Sequence, residues 1–122
     1  MKKLRIVQFY RKADGTKPVG EWLDGLDDAR AQAVAMGIKF FEEYPNLVVP
    51  SKFFEKVRGE IWEIKAHYGK EQFRLYGFKD DAWVIAAVGV EKKWQKARKA
   101  DLDLAAERRD DHFARKKKKP AL

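Results

Sequence analysis

Four basic residues in the second half of the chain have side chains suited to chemistry on a phosphate group. They are Lys65, Arg74, Lys92 and Lys93. A planar guanidinium can bind two phosphate oxygens at once, and a lysine ammonium adds a compact positive charge. Where such groups meet, they can hold a phosphodiester and stabilise the charge that develops when it is attacked. These residue types therefore predict a surface that handles RNA phosphates.

Two neighbouring stretches of alternating sequence are predicted to place these cations on one face of a sheet. Apolar and polar residues alternate along residues 61–67 and again along residues 72–78. A hairpin that turns near Gly69 would gather the polar positions on one open surface, which consists of Lys65, His67, Gln72, Arg74 and Tyr76. The cations would neutralise RNA phosphates there while Tyr76 stacks on a base.

Three strands are predicted in this half of the chain, over residues 61–67, 72–78 and 82–90. The connections between them are so short that the strands must run antiparallel. Residues 46–52 are predicted to be a linker, and residues 53–58 are predicted to lead into a turn. A closing helix is predicted over residues 101–115.

The N-terminal part of the chain is predicted to contribute one strand and two helices. Residues 4–10 are rich in β-forming residues, and Thr16 is the predicted N-cap of a short first helix. The second helix is predicted from residue 27 or 28 to Pro45. Gly37 lies inside it, where it lowers helix propensity but allows a neighbouring backbone to approach closely. The predicted apolar stripe of this helix consists of Leu26, Ala29, Ala33, Met36, Phe40 and Tyr44.

The chain length predicts one domain, because 122 residues are enough for a single hydrophobic core. We assign residues 1–115 to this domain and residues 116–122 to a basic, disordered tail. The chain contains no cysteine, which excludes disulfides and a cysteine nucleophile. No apolar run approaches the roughly 20 residues that span a membrane, and the N-terminus does not resemble a secretory signal. We therefore expect no membrane partner and a cytoplasmic location.

Positive charge is concentrated near the C-terminal end. Residues 92–119 contain twelve Lys or Arg and five Asp or Glu, which accounts for +7 of the net charge of +8. Such a stretch attracts polyanions. Lys96 and Arg98 belong to it, and we predict that both join the RNA-binding surface. The lysines of the tail itself are more simply explained as solvated charges.

The order of these motifs resembles a known family. The segments WEIK, FRLY and VGVEKKWQKARK, followed by a helix containing LAAERR, are similar to the phage-derived branch of the RelE/HigB toxins of bacterial toxin-antitoxin systems. The most specific parts are Trp62-Glu63, Arg74 and Lys92-Lys93 in that spacing. The resemblance implies a RelE-like α+β fold, with an antiparallel sheet of about four strands, two N-terminal helices and a C-terminal helix.

The resemblance also implies an activity. Members of this family are mRNA interferases, endoribonucleases that cut translated mRNA by attack of a ribose 2′-hydroxyl on the adjacent phosphorus. They need no metal ion, so no cofactor is expected. The expected partners are mRNA, the ribosome and a helix-turn-helix antitoxin.

Roles for four residues follow from the positions that match the family. Arg74 should contact the scissile phosphate, Lys65 should bind RNA or help activate the attacking hydroxyl, and Lys92 and Lys93 should stabilise the transition-state charge. We predict these four as the catalytic residues. Without the resemblance, Arg74 would be interpreted as a strand arginine paired with Glu63 or Glu71, and the lysine pair as a solvated surface.

The remaining polar residues are interpreted as solvent-exposed side chains without an essential function. His67 lies on the predicted RNA-binding face, where a histidine is a candidate proton carrier, but the family pattern does not require it. We favour a nonessential surface role for both His67 and His112. The pairs Asp80-Asp81 and Asp110-Asp111 are interpreted as a solvated turn and helix face rather than a metal site. A second class of function stays open, a noncatalytic module of phage origin that binds nucleic acid or protein through the same basic surface.

Overall fold

The computed structural model describes residues 6–43, 54–93 and 96–118. Within these ranges the chain has five strands and three helices. The strands are β1 (Ile6–Phe9), β2 (Phe54–Arg58), β3 (Ile61–Tyr68), β4 (Glu71–Asp80) and β5 (Trp83–Lys92). The helices are α1 (Pro18–Asp24), α2 (Asp28–Glu43) and α3 (Lys99–Lys118). The predicted fold class, α+β with two N-terminal helices and a C-terminal helix, is confirmed.

The strands form one mixed sheet in the order β1-β5-β4-β3-β2. Strands β2 to β5 are antiparallel to their neighbours, as their short connections predict, whereas β1 pairs with β5 in parallel. The parallel pair is possible because two helices and three strands separate β1 from β5 along the chain. The sheet therefore has one strand more than the four or so that the sequence predicts. The additional strand is β2, an edge strand whose pairing with β3 is irregular between Lys56 and Arg58.

Helices α1 and α2 cover one face of the sheet. The core between them and the strands consists of Val19, Val34, Phe41, Ile64, Ala66, Phe73, Leu75, Val84 and Ala86. The closest approach is at Gly37, where an added Cβ would lie only 2.7 Å from the Cβ of Ala66 and 3.4 Å from the carbonyl oxygen of Lys65. The predicted role of Gly37 in a close backbone approach is confirmed, and the contact fixes β3 directly beneath α2.

The buried stripe of α2 differs from the predicted one. Val34 and Phe41 are buried, whereas Met36 is 65% exposed and Phe40 is 37% exposed. Apolar residues surround most of this helix, so their spacing alone permits two stripes. The contact of Gly37 with β3 selects the stripe that contains Val34 and Phe41, because residues three and seven positions apart lie on one side of a helix.

Two helix ends also differ from the prediction. Lys17, not Thr16, is the N-cap residue of α1, because the Thr16 hydroxyl donates a hydrogen bond to Asp14 at 2.7 Å. Helix α3 continues to Lys118, so the first three residues of the predicted tail are helical. The rest of that tail, the predicted linker 46–52 and the predicted stripe residue Tyr44 lie outside the described residues.

Helix α3 packs on the other face of the sheet. The core there consists of Tyr10, Ile61, Tyr76, Phe78, Ile85, Ala87, Val88, Leu102 and Ala105. Near the end of α3, the Asp80 carboxylate accepts a hydrogen bond from Lys116 and lies 2.8 Å from the His112 ring nitrogen. Asp80 and His112 are therefore a partly buried pair that fastens α3 to β4, and not the solvated turn and surface histidine that the sequence predicts.

Candidate functional site

The predicted site residues line up in two rows on the face of the sheet that α3 covers only in part. Lys65 on β3 lies directly opposite Arg74 on β4. In the next row, Gln72 on β4 lies between His67 on β3 and Lys92 on β5. Directly opposite residues have Cβ atoms about 4.5–5.5 Å apart. The prediction that these strand positions share one face is confirmed, and cations from three strands come together at one end of the sheet.

Arg74 is buried rather than displayed on an open surface, with only 7% of the residue exposed. Its Nη1 donates to the carbonyl oxygen of Phe73 at 2.9 Å and contacts the amide oxygen of Gln72 at 3.4 Å. The predicted open position is wrong because β4 is the central strand of the sheet, flanked by neighbours on both sides. The guanidinium is therefore held in one orientation by its surroundings.

One donor of the Arg74 guanidinium is not used. Its Nε is buried and has no hydrogen-bond partner among the described residues. The nearest carboxylate oxygen, Oε2 of Glu63, is 3.6 Å away, which is too far for a good hydrogen bond. A buried charged donor without a partner is costly, typically by about 1–3 kcal/mol or more. The charge of Arg74 is therefore incompletely compensated by the described residues.

A single carboxylate lies between the two cations of the cluster. Glu63 is buried, with its Oε1 at 4.0 Å from the Lys65 ammonium and its Oε2 at 3.6 Å from Arg74. Lys65 and Arg74 are thus both held near the same carboxylate. Lys65 remains partly exposed and is the member of the cluster that solvent reaches.

Glu63 is the member of the site that the sequence does not predict. The signal is present, because Glu63 alternates onto the same strand face as Lys65. The alternative interpretation of Arg74 as a neighbour of Glu63 is confirmed in part by the 3.6 Å distance. Glu71 does not pair with Arg74, because it forms a bidentate ion pair with Arg30 at 2.6 and 2.7 Å.

Tyr76 does not lie on the surface predicted for it. It is 1% exposed and belongs to the core under α3, together with Leu102 and Ala105. Burial, followed by the negative charges of Glu63 and Asp101, raises the pKa of Tyr76. Its predicted role in stacking on an RNA base is wrong because the first turns of α3 cover this part of β4.

The other predicted cations lie around the cluster. Lys92 is the last residue of β5 and is half-buried, while Lys93 follows it with an exposed side chain. Lys96 and Arg98 are exposed on the segment between β5 and α3. His67 is exposed near the end of β3. The structure thus brings Lys65 and Arg74 into one cluster, places Lys92 in the adjoining row and leaves the other cations on the surrounding surface.

The described residues include no group of three or more His, Asp or Glu side chains placed to hold a metal ion. None of the described helices is long and apolar enough to cross a membrane. The groups that the cluster itself offers are a fixed guanidinium, a partly exposed ammonium and a carboxylate near both. Such a set can bind an oxyanion and stabilise added negative charge on it.

Comparison with protein-family models identifies the family to which the chain belongs. Residues 21–110 match the model of phage derived protein Gp49-like (DUF891). This range runs from within α1 into α3 and contains the complete cluster of Glu63, Lys65 and Arg74. No curated protein matches the chain. The chain belongs to the Gp49-like family of phage-derived proteins, a family that includes RelE-like toxins of toxin-antitoxin systems.

Proposed function

We propose that the chain is the toxin of a toxin-antitoxin system and an endoribonuclease of the RelE/HigB type, an mRNA interferase that cuts translated mRNA. Membership of the Gp49-like family supports the toxin role. The single observation that carries the nuclease activity is the buried guanidinium of Arg74, which keeps a donor without a partner beside the ammonium of Lys65. A phosphodiester oxygen is the ligand that suits this pair of cations.

In the proposed reaction, the 2′-hydroxyl of a ribose attacks the adjacent phosphorus. The bond from phosphorus to the 5′-oxygen breaks, and the products are a 2′,3′-cyclic phosphate and a 5′-hydroxyl. Negative charge grows on the nonbridging oxygens in the transition state. Arg74 binds these oxygens, and because Phe73 and Glu63 already orient it, little reorganisation is needed during the reaction.

Lys65 has the second role, because it is the partly exposed cation next to Arg74. It contacts the phosphate or the attacking hydroxyl. Glu63 is a positioning residue that holds both cations. The charges of Lys92 and Lys93 add to the stabilisation from the neighbouring row, and no metal ion takes part in the reaction.

The surrounding cations extend the proposed RNA-binding surface beyond the scissile bond. His67, Lys96 and Arg98 bind the flanking phosphates, while the net charge of +8 speeds the encounter with RNA. The proposed partners are mRNA on the ribosome and a helix-turn-helix antitoxin. We place the reaction in the cytoplasm.

The proposal is tested by induced expression in bacteria, with the 5′ ends of transcripts mapped before and after induction. We expect growth arrest and new 5′-hydroxyl ends inside coding sequences. Arg74→Lys keeps the charge but loses the planar fork, so it should abolish both effects. Arg58→Lys makes the same exchange on β2 and should leave both intact.

Unaltered growth and intact RNA in the presence of folded wild-type protein would overturn the proposal. RNA binding that weakens with salt but yields no cut ends would instead identify the noncatalytic binding module. Because Arg74 is buried, the folding of Arg74→Lys must be checked by circular dichroism. A folded and inactive variant separates a loss of chemistry from a loss of structure.

A further inference from the structure

A second basic surface lies at the opposite end of α3 from the candidate site. A cavity of about 800 Å³ is bounded by β1, by residues 10–17 and by the last turns of α3. We call it the β1–α3 cleft. Among the described residues, the charged side chains that line it are Arg11, Lys12, Lys17, Arg115 and Lys116, besides His112. No carboxylate of the described ranges lines the cleft, so the electrostatic potential of this lining favours an anion.

The cations on the two walls of the cleft differ in their ion pairing. On the α3 wall, Arg115 donates to Asp111 at 2.9 Å and Lys116 donates to Asp80 at 2.8 Å. On the other wall, Arg11 and Lys17 are exposed, and their side chains form no ion pair with any residue in the described ranges. The α3 wall is thus held in place, while Arg11 and Lys17 have donors available for a ligand.

The carboxylates near the cleft offset only part of its charge, because they pair with the cations of the α3 wall and leave Arg11 and Lys17 without an ion pair in the described ranges. Asp111 accepts hydrogen bonds from the Tyr10 hydroxyl and from Arg115, and these contacts hold the pKa of Asp111 below its usual value. Asp14 is likewise occupied by the backbone and hydroxyl of Thr16. Each of these acids is already engaged, so an incoming anion meets the basic side chains.

The cleft and the candidate site lie along the same face of the sheet. Ile85 lines the cleft and belongs to the core under α3, and Lys92, on the same strand, adjoins the catalytic cluster. Lys92 is seven positions after Ile85 along β5, which corresponds to about 23 Å at 3.3 Å per residue. A single extended polyanion can therefore reach both places by following α3.

We infer that the β1–α3 cleft is a second binding site for the phosphodiester backbone of the RNA that enters the catalytic cluster. The identity of this ligand rests on the proposed function. The cleft volume lies within the roughly 300–1,000 Å³ of typical ligand pockets, which accommodates more than one phosphate group. RNA is favoured over an acidic protein segment because one strand can occupy both sites on this face.

The test measures the binding of a single-stranded oligoribonucleotide with 2′-O-methyl riboses, which cannot be cleaved by 2′-hydroxyl attack. The double variant Arg11→Ala/Lys17→Ala removes two exposed charges from the cleft. Lys39→Ala/Lys56→Ala removes two exposed charges from α2 and β2 and is the matched control. The dependence of log K on log salt should become shallower by about 1.4 for the cleft variant, at about 0.7 for each lost phosphate contact.

The site of contact is read independently by photocrosslinking. An oligoribonucleotide that carries 4-thiouridine should crosslink to peptides containing residues 10–17 in the wild type, and this crosslink should be lost in the cleft variant. Equal salt dependence for the two double variants would overturn the inference. Unchanged RNA binding together with lost binding of a glutamate-rich peptide would also overturn it and assign the cleft to an acidic protein.

The experiments distinguish a wrong cleft proposal from a wrong nuclease proposal. If the wild type does not cut RNA but the cleft variant still shows the shallower salt dependence, the cleft binds RNA and the nuclease proposal falls. If the wild type cuts RNA and the two double variants bind equally, the nuclease proposal stands and the cleft proposal falls. Circular dichroism of all variants verifies that the exposed substitutions leave the fold unchanged.

Discussion

At the residue scale, the cluster around Arg74 leaves the charge of a buried arginine incompletely compensated, which costs stability and suits the binding of an anion. A buried arginine could be neutralised completely by a carboxylate at hydrogen-bond distance, yet Glu63 stays 3.6 Å from Nε and also lies 4.0 Å from Lys65. Glu63 is thus near both cations without a close contact to either. The charges lie in a partly dehydrated place, where electrostatic interactions are stronger than in water.

Glu63→Gln tests the role of this carboxylate, because it keeps the shape of the side chain and removes its charge. We expect the free energy of unfolding to fall by about 1–3 kcal/mol, since the buried Arg74 and the partly exposed Lys65 lose the carboxylate near both of them. The affinity for uncleavable RNA should rise at the same time, because the cluster becomes more positive. Urea denaturation and fluorescence anisotropy measure the two effects.

Glu107→Gln, on the exposed side of α3, should change neither stability nor affinity noticeably. Stability and affinity that fall together would contradict this account.

At the scale of elements, the position of β3 depends on a helix on the other face of the sheet. The backbone of α2 at Gly37 packs directly on Ala66 and the Lys65 carbonyl group. A methyl group at Gly37 would require α2 or β3 to shift. Since Lys65 belongs to the candidate site, a displaced β3 would affect that site as well as the core.

Gly37→Ala should therefore lower the stability by about 1–3 kcal/mol, the usual cost of overpacking a core, although alanine is the better helix former. Cleavage should weaken with it. Gly25→Ala is the control, because Gly25 has an ordinary negative φ of −81° and an added Cβ would meet nothing closer than 3.5 Å. Thermal and urea denaturation measure both variants. Equal stabilities of the two variants would show that α2 can move away from β3 at little cost.

The last turns of α3 are fastened by Asp80, whose carboxylate faces both His112 and Lys116. The hydrogen bond with His112, and then that from Lys116, holds the pKa of Asp80 below its usual value. A carboxyl group with a lowered pKa in the folded state contributes stability above its unfolded pKa, about 3.9. That contribution is lost as the pH falls through the folded pKa.

Asp80→Asn should thus destabilise the fold by about 1–2 kcal/mol near neutral pH, because it removes charge-assisted hydrogen bonds. The difference from the wild type should begin to shrink as the pH falls below about 4, where Asp80 of the unfolded wild type becomes protonated, and should be lost below the lowered pKa of folded Asp80. Asp81→Asn is the neighbouring control: Asp81 is exposed with φ +58°, a conformation that asparagine adopts readily. Urea denaturation at a series of pH values measures the effect. A difference that persists unchanged in acid would exclude the charge of Asp80 as its source.

The sequence predicts which site residues share a strand face, but it does not predict which of them are buried. Strand alternation has a period of two, so the shared face of Lys65 and Arg74 follows from residue order once the hairpin is assumed. Alternation does not say what covers that face, and α3 buries Tyr76 while the central position of β4 buries Arg74. Burial of this kind depends on contacts between distant segments.

The same limit explains the errors in the helices and the sheet edge. Residues 54–58 carry no clear alternation, and β2 forms because β3 offers a free edge for pairing. The buried stripe of α2 is selected by the packing of Gly37 on β3, which lies far along the chain. Local pattern predicts the α+β class and most element positions, whereas pairing and packing decide these details.

At the scale of the whole molecule, the basic residues fall into two groups with different surroundings. Exposed cations such as Lys93, Lys96 and Arg98 attract polyanions through solvent, where salt screens them. Arg74 is buried, and salt screens buried charges much less. If the proposed function is right, association and chemistry should therefore respond differently to ionic strength.

Raising the salt concentration should lower kcat/KM for RNA cleavage steeply, because counterion release governs binding, while kcat at saturating RNA changes little. Cleavage of a defined mRNA at several salt concentrations measures both constants. Lys93→Ala should weaken the salt dependence of kcat/KM by about 0.7 per lost phosphate contact and leave its own kcat less affected than Arg74→Lys does. Lys39→Ala, on the outer side of α2, removes the same charge and should leave the salt dependence nearly unchanged. Parallel loss of kcat and kcat/KM with salt would place the catalytic cation in solvent, against the buried position of Arg74.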